Sequence, residues 1–503
     1  MTPREDGAHR YDAIVVGAGF GGMGAAIQLD RLGLGDYLIL EREDDLGGTW
    51  HVNRYPGLAV DIASVTYSYS FEPNPYWSRL FAPGEELRRY AGHVAERYGL
   101  RRRMRFGTAV EQARWDVDGQ QWVVTTDTGA ELTARFLITA TGFLSQPYTP
   151  PFPGIDGFTG RIVHTTAWPD GLDLTGQRVG VIGTGATAVQ LVPELAEQAA
   201  ELTVFQRTPI WVVPKVDTPI PAAVQRLFAA VPVTQRAARL ANTSVLEAIM
   251  VAGVLEFTRA KVLNRGAGLL AKAHLRASVR DPETRRALTP AYDFGCKRPT
   301  FSNRYFRVFN EPHVRLETGT IAAVTPDGIT LADGSAVALD TLVLATGFDL
   351  WQANFPAIRV LGRDGTDLGA WWRASRFQAY EGITVPRFPN FLSLNSPYSY
   401  SGLSYFTTVE AQMKHMGRLL GELARRGAAT FEVTERANAD FLDRVTERLG
   451  TSVFYGGDCA SARSYYFDPH GEAALLRPTS TLNAHREAVR FPLDDYVYGG
   501  APA

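Results

Sequence analysis

The sequence predicts an α/β protein with two Rossmann-like dinucleotide-binding domains and an α-helical insertion in the second domain. The first observation is that a strand, a glycine-rich loop, a helix and another strand follow one another near the N-terminus, and that this order recurs from Arg178. The second is that each unit is followed by an apolar segment ending in Ala-Thr-Gly, at 140–142 and 345–347. Parallel strands joined by such crossovers favour a doubly wound sheet.

The first unit has the features of a nucleotide-binding turn. Strands are predicted at Tyr11–Val16 and Tyr37–Glu41, with a helix from Met23 between them. Its loop fits G-x-G-x-x-G, whose glycines let the backbone approach a pyrophosphate at a helix N-terminus. The glycines of this loop are Gly17, Gly19, Gly21 and Gly22. Glu41 ends the second strand, where an acid accepts hydrogen bonds from a ribose diol.

The second unit carries a base where the first carries an acid. Its strands are predicted at Val179–Ile182 and Leu202–Phe205, with a helix from Val189. The loop between them, with Ala in the third glycine position, is Gly183-Thr184-Gly185-Ala186-Thr187-Ala188. Arg207 follows the second strand and suits a 2′-phosphate, so the pattern favours NADPH over NADH.

The predicted domains follow from the positions of the two units. Residues 1–150 are expected to form the first part of the first dinucleotide-binding domain, and 151–384 the second, NADPH-binding domain with a helical insertion at about 216–290. Residues 385–503 are expected to return to the first domain and to supply a substrate-pocket segment. They contain one amphipathic run, Thr408–Leu423.

Composition excludes several other classes of protein. The chain has 503 residues, 45% of them hydrophobic, and a formal net charge of -2, which predicts no nucleic-acid partner. The polar start and the short apolar stretch Ser244–Phe257 predict no membrane partner and a cytoplasmic location. Cys296 and Cys459 have no metal spacing and are interpreted as buried apolar residues. No metal site is predicted.

Two dinucleotide folds in one chain imply that hydride passes from a nicotinamide to a flavin. A dithiol acceptor is disfavoured because no cysteine pair lies near either glycine loop. The two glycine loops alone do not indicate which other group accepts electrons from the flavin.

A motif between the two glycine loops indicates which electron acceptor is used. Residues 158–169, Phe-Thr-Gly-Arg-Ile-Val-His-Thr-Thr-Ala-Trp-Pro, match F-x-G-x-x-x-H-x-x-x-W-P/D, the signature of type I Baeyer–Villiger monooxygenases. The chain resembles that family, and Trp168-Pro169 favours its ketone-oxidising branch over the related N- and S-oxygenases. Other blocks extend the resemblance along nearly the whole chain, at 47–61, 205–214, 297–299, 345–347 and 490–496.

The resemblance implies roles for particular residues. Arg298 would be the catalytic arginine, with Asp61 beside it and near the flavin, and His164 and Trp168 would act through the signature motif. Lys297 would join Arg207 and Thr208 at the NADPH phosphate. The remaining residues implied at FAD are Thr49, Trp50, His51, Val52, Tyr67, Val110 and Phe406.

The implied reaction converts a ketone to an ester or lactone with O2 through a flavin peroxide. Two alternatives remain open at this point: a flavin-dependent N- or S-oxygenase, and a non-catalytic NADP(H)-binding redox sensor. The sequence departs from the family pattern at His51-Val52, at Val60 and at 462–466. The identity of the ketone and the oligomeric state stay open.

Overall fold

The computed structural model describes residues 9–400 and 404–500. Its strands, in chain order, are β1 (Arg10–Val16), β2 (Tyr37–Leu40), β3 (Met104–Arg105), β4 (Val110–Asp116), β5 (Gln121–Thr126), β6 (Glu131–Thr139), β7 (Arg161–His164), β8 (Arg178–Ile182), β9 (Glu201–Phe205), β10 (Val212–Val213), β11 (Thr300–Phe301), β12 (Val314–Glu317), β13 (Ile321–Thr325), β14 (Gly328–Leu331), β15 (Ala336–Ala338), β16 (Thr341–Leu344), β17 (Arg359–Leu361), β18 (Phe391–Ser393), β19 (Thr430–Val433) and β20 (Tyr496–Gly499).

The helices lie between these strands. They are α1 (Phe20–Arg31), α2 (Thr49–Val52), α3 (Gly84–Arg97), α4 (Ala186–Leu195), α5 (Ala222–Ala230), α6 (Pro232–Met250), α7 (Lys261–Ser278), α8 (Pro282–Ala287), α9 (Leu368–Ala374), α10 (Tyr405–Arg426), α11 (Glu435–Leu449), α12 (Val453–Gly456) and α13 (Thr481–Arg490). A π-helical turn, Val251–Leu255, follows α6.

The first domain is built on a mixed sheet with the order β17-β4-β5-β6-β1-β2-β3, and β18 pairs with β6. Strand β1 lies parallel to both β2 and β6, in the register Val16 with Leu40 and Val16 with Thr139. Their carboxyl ends therefore meet at one edge of the sheet. In open α/β sheets this edge is where ligands bind.

The second domain has a parallel sheet with the order β12-β9-β8-β16-β7. Leu344 at the end of β16 pairs with both His164 and Ile182, and Ile182 pairs with Phe205. The glycine loop after β8, the signature histidine and the segment after β9 therefore share one edge. The predicted fold class, with two such domains, agrees with this architecture.

The range 216–290, predicted to be a helical insertion, is mostly helical. It contains α5, α6, the π-helical turn, α7 and α8. The boundary predicted after residue 384 lies too late, because β17 pairs with β4 of the first sheet from Arg359 onward. Sequence patterns did not reveal this return, since a three-residue edge strand has too few positions for a recognisable period.

The two cysteines are buried, as interpreted from the sequence, but the sequence analysis did not foresee that they are bonded to each other. Cys296 and Cys459 form a disulfide across a sequence separation of 163, with their Cα atoms 5.2 Å apart. The bond ties the segment before Arg298 to the C-terminal segment. Both residues are buried, so the pair does not present an exposed dithiol.

Contrary to the expectation from the sequence, one helix is long and apolar enough by length and composition to cross a membrane, the run Pro232–Leu255. Polar side chains on one of its faces hold it on the first domain. Gln235 Nε2 donates to the carbonyl oxygen of Asn74 at 2.7 Å, and Arg239 Nη1 donates to that of Ser68 at 2.9 Å. Glu247 accepts a hydrogen bond from the Thr481 amide at 2.6 Å. These three hydrogen bonds attach the helix to the first domain, while only 11% of its apolar window is buried.

Candidate active site

A cavity of about 290 Å³ lies at the carboxyl edge of the first sheet. The first glycine loop, the end of β2, helix α2 and the segment 140–147 form its walls. The predicted residues that line it are Gly17, Gly19, Glu41, Thr49, Trp50, Val52, Tyr67 and Val110. Its shape and position suit a dinucleotide bound at the end of the strands.

The glycines of this loop are required by close backbone approach. Gly17 has φ +107°, and a Cβ there would lie 2.7 Å from the carbonyl oxygen of Ala140. A Cβ on Gly22 would lie 1.9 Å from the carbonyl oxygen of Gly17. Gly21 and Gly22 belong to helix α1 and do not line the cavity, so they shape the turn rather than contact a ligand.

Glu41 is buried at the cavity wall and is held by backbone amides. One carboxylate oxygen accepts a hydrogen bond from Ala18 N–H at 2.7 Å, and the other accepts one from Glu43 N–H at 3.1 Å. These bonds orient the carboxylate and leave acceptor capacity for a ribose diol, since each oxygen has two lone pairs.

Besides Gly21, Gly22 and Asp61, His51 and Phe406 were expected at FAD and do not line the cavity. The His51 side chain is buried and its Nε2 lies 2.7 Å from Asp44 Oδ1, an interaction that lowers the pKa of Asp44. Phe406 is buried behind the wall, with its ring centroid 5.2 Å from that of Tyr67 and 4.6 Å from that of Phe20. Both residues therefore support the wall from behind.

Arg298 and Asp61 form a two-point ion pair. Arg298 Nε donates to Asp61 Oδ2 at 2.9 Å, and Nη2 donates to Oδ1 at 2.8 Å. The third arm, Nη1, donates to the Tyr400 hydroxyl at 2.5 Å. A guanidinium held at three points has little freedom to turn, so its direction is set before any substrate arrives.

The surroundings of Arg298 keep it charged. Burial by itself would lower the pKa of Arg298, but Asp61 and Tyr400 outweigh this effect and raise it well above its usual value. Tyr67, which lines the cavity, has its pKa raised by burial and by the charge of Asp61. Asp61 therefore lies within electrostatic reach of Tyr67 in the cavity wall, while Asp61 and Arg298 themselves do not line the cavity.

Local structure explains how Arg298 reaches this position. It lies between the disulfide at Cys296 and strand β11, which pairs with β10. Tyr465 and Tyr466, in the divergent C-terminal segment, interact electrostatically with Arg298. The segment that departs from the family pattern therefore lies beside the arginine.

The second glycine loop repeats the geometry of the first. Gly183 has φ +124°, and a Cβ there would lie 2.3 Å from the carbonyl oxygen of Ala345. Helix α4 starts at Ala186, with Gly185 at its N-cap and Ala188 buried, and Thr187 interacts with the Tyr55 hydroxyl. The Thr184 hydroxyl donates to the carbonyl oxygen of Thr208 at 2.7 Å, which links the loop to the segment after β9.

Arg207 and Lys297 lie close enough to interact. Burial and the positive charge of Arg207 lower the pKa of Lys297 to about 8. Within residues 9–400 and 404–500, no carboxylate pairs with either side chain. Two neighbouring cations without a counter-ion suit a phosphate group, whose charge would offset their repulsion.

His164 reaches the cavity through a neighbour. Its Nδ1 accepts a hydrogen bond from Thr166 N–H at 3.2 Å and lies 2.8 Å from Thr166 Oγ1. Thr166 lines the cavity, so the histidine at the end of β7 holds a residue of the cavity wall. Burial lowers the pKa of His164, which keeps Nδ1 available as an acceptor.

Trp168 lies elsewhere. It is buried in the core of the second domain with Val163 and Leu174. Trp168 does not line the cavity, and its role among the catalytic residues stays a prediction from the resemblance.

Known proteins resemble this chain along its whole length. A Baeyer–Villiger monooxygenase of Streptomyces coelicolor is 37% identical, covering 100% of this chain and 96% of that protein. The chain belongs to the Baeyer–Villiger monooxygenase family. A family described as Pyridine nucleotide-disulphide oxidoreductase matches residues 14–252. That match ends before Cys296, so it does not include the disulfide.

Two solved structures agree with this membership. A steroid monooxygenase bound to NADP is 32% identical, with a TM-score of 0.85, and the match covers 98% of this chain and 100% of that one. OTEMO in complex with FAD and NADP is 28% identical, with a TM-score of 0.86, and the match covers 97% and 99%. The family, fold class and enzyme class predicted from the sequence are confirmed, and the cofactor prediction agrees with these neighbours.

Several residues of this Baeyer–Villiger monooxygenase site were not identified from the sequence. Tyr400 contacts Arg298, Thr166 contacts His164, and Tyr405 lines the cavity. Thr166 lies inside the signature motif but at an unspecified position. The run of aromatic residues at 398–406 is a signal for the two tyrosines, although by itself it is equally typical of a core.

Proposed function

We propose that this protein is an FAD-containing, NADPH-dependent Baeyer–Villiger monooxygenase that inserts one atom of O2 next to the carbonyl of a ketone. The products would be an ester or lactone and water. The single observation that carries the proposal is the three-point anchoring of Arg298 by Asp61 and Tyr400 near the cavity.

The cavity residues fit FAD. The glycine loop and the N-terminus of α1 would hold the pyrophosphate, and Glu41, oriented by two amides, would hold the ribose. Trp50, Tyr67 and Val110 supply apolar wall. When bound, FAD would take hydride from NADPH and activate O2 for insertion beside the carbonyl.

The second loop fits NADPH. Residues Gly183 to Ala188 would approach its pyrophosphate, while Arg207, Lys297 and Thr208 would surround the 2′-phosphate. The absence of a carboxylate partner for the two cations, within the described ranges, supports this assignment.

Arg298 would supply a fixed positive charge to oxygen atoms that become negative during insertion. Such a charge must be present before the reaction and must not be lost to solvent. A guanidinium meets both requirements, because it stays protonated and because Asp61 and Tyr400 hold its direction. Asp61 is therefore a positioning residue. His164 is assigned the same kind of role, through Thr166.

The substrate would be a ketone of a size set partly by the C-terminal segment, since Tyr465 and Tyr466 lie near Arg298. O2 is the second substrate. A cytoplasmic location remains a prediction from the sequence.

The test uses the purified, flavin-loaded protein with NADPH and O2. A series of ketones of increasing size is compared with thioethers, and ester, sulfoxide and H2O2 are quantified against NADPH consumed. Ester formation coupled to NADPH supports the proposal. Sulfoxide without ester from any ketone would assign the protein to heteroatom oxygenation instead. Flavin without substrate-dependent O2 uptake would support a redox sensor.

A further inference from the structure

The helical insertion carries most of the large hydrophobic side chains that are exposed in the described residues. Of the nineteen large hydrophobic side chains that are exposed in the described residues, eleven lie within 216–270. Surface concentrations of this kind mark sites of interaction with proteins or membranes. The reaction of the active site does not account for them.

Helix α7 shows how the surface is organised. Its exposed apolar side chains are Val262, Leu263, Leu269 and Leu270, with exposures of 80, 62, 66 and 56%. At 100° per residue they fall in a sector of about 120°. We call this sector the α7 apolar face.

The opposite sector of α7 is attached to the protein. Asn264 Nδ2 donates to the carbonyl oxygens of Gly253 and Phe294 at 3.0 and 2.6 Å, and Leu275 is buried. This side of the helix therefore packs on the protein, and the α7 apolar face points outward over residues 262–270, the first half of the helix. The four large apolar side chains of this face are therefore available to a partner.

A row of bases borders the α7 apolar face. Lys261, Arg265, Lys272 and Arg276 fall in an adjoining sector of about 60°, and α7 contains no acidic residue. Within residues 9–400 and 404–500, no carboxylate pairs with any of the four. The face is locally basic in a chain whose net charge is -2.

From this arrangement we propose that α7 docks the protein in the plane of an anionic lipid surface. An exposed apolar stripe edged by lysine and arginine is the pattern of helices that lie in a membrane interface. The apolar side chains would enter the acyl boundary while the bases contact lipid phosphates. The prediction of no membrane partner rested on the lack of a spanning segment, and an in-plane contact needs none.

Charge complementarity favours lipid over a second copy of the chain. A two-fold dimer through this face would bring two unneutralised basic rows together, at a cost in repulsion. An anionic surface would instead neutralise the row. The proposal is independent of the chemistry assigned to the active site.

The experiment measures co-sedimentation of the flavin-loaded protein with vesicles of phosphatidylcholine, with and without phosphatidylglycerol. We expect binding to the anionic vesicles that weakens as salt is raised. The double variant Lys261→Gln with Arg265→Gln should bind anionic vesicles about 30-fold more weakly, because each lost base costs about fivefold in affinity. Leu269→Gln with Leu270→Gln should weaken it at least about tenfold.

Matched controls alter the same residue types elsewhere. Arg88→Gln with Arg102→Gln removes two exposed bases, and Val117→Gln with Leu482→Gln removes two exposed apolar side chains. Both control double variants should bind anionic vesicles like the parent protein. NADPH oxidation with a water-soluble ketone should be unchanged in all four double variants. Absence of binding to anionic vesicles overturns the proposal. A second result would also overturn it. In that result, light scattering shows a dimer of the parent protein, and Leu269→Gln with Leu270→Gln abolishes the dimer but leaves vesicle binding unaffected.

Discussion

Arg298 and Asp61 lie 237 residues apart in the sequence and meet through two parallel hydrogen bonds of 2.9 and 2.8 Å. The pair joins the segment after the helical insertion to the first domain. Because the carboxylate engages Nε and Nη2, the remaining arm of the guanidinium is directed at Tyr400.

Replacing Arg298 with alanine should abolish oxygen insertion but spare flavin reduction. A fixed donor aimed at developing charge contributes about 2.7–4 kcal/mol, so ketone turnover should fall roughly 100-fold or more. The NADPH still consumed should appear as H2O2. Stopped-flow reduction followed by mixing with oxygen measures both steps.

Arg298→Lys, which keeps charge without the two-point geometry, is the control. Near-parent ester yield per NADPH in Arg298→Ala would show that another group performs this role.

Tyr400→Phe should have a smaller effect of the same kind. It removes one hydrogen bond to the guanidinium and leaves the two bonds to Asp61. A loss of about 0.5–1.5 kcal/mol corresponds to a 2- to 12-fold lower kcat, with more H2O2 per NADPH. Product and peroxide are quantified together. A variant with parent coupling and kcat would mean that Asp61 alone orients Arg298.

Arg207→Ala should raise KM for NADPH far more than KM for NADH. Losing one charge-assisted hydrogen bond to the 2′-phosphate costs about 1.5–3 kcal/mol, or roughly 10- to 150-fold. Steady-state kinetics with both nucleotides provide the comparison, since NADH lacks the phosphate and is the internal control. Equal changes for both would place the 2′-phosphate elsewhere.

The affinity for NADPH should decline as pH rises above about 8. Lys297 has a pKa of about 8 because of burial and the charge of Arg207, and a bound phosphate would raise that pKa. Affinity is therefore full below pH 8 and is lost as the pH rises toward the pKa of the complex. Titration of KM for NADPH against pH measures this. Arg207→Ala should move the inflection to higher pH, and a profile that does not move would contradict the coupling.

His164→Ala should keep FAD bound but slow turnover. The change removes the acceptor for Thr166 N–H, so that this part of the cavity wall can shift. Small displacements near reacting groups cost roughly ten- to a hundredfold in rate. His164→Asn, whose side-chain oxygen can accept the same hydrogen bond, should retain more activity. Equal losses in the two variants would point to ring packing instead.

The sequence by itself determined the parts of this protein whose chemistry is local. Each glycine loop needs a positive φ and close backbone contact within a few residues, as at Gly17 and Gly183, and such requirements leave a readable pattern. The contrast between Glu41 and Arg207 is equally local, as is the 3.6-residue period that predicted helix α10. The signature motif added the family.

Only the tertiary structure decided which distant side chains meet. The disulfide, the contact of Tyr400 with Arg298 and the return of the chain at Arg359 join residues more than a hundred positions apart. The resemblance implied site roles for both His51 and Trp168, yet the His51 side chain pairs with Asp44 and Trp168 packs in a core. Side-chain direction depends on the packing of neighbouring elements, which no local period encodes.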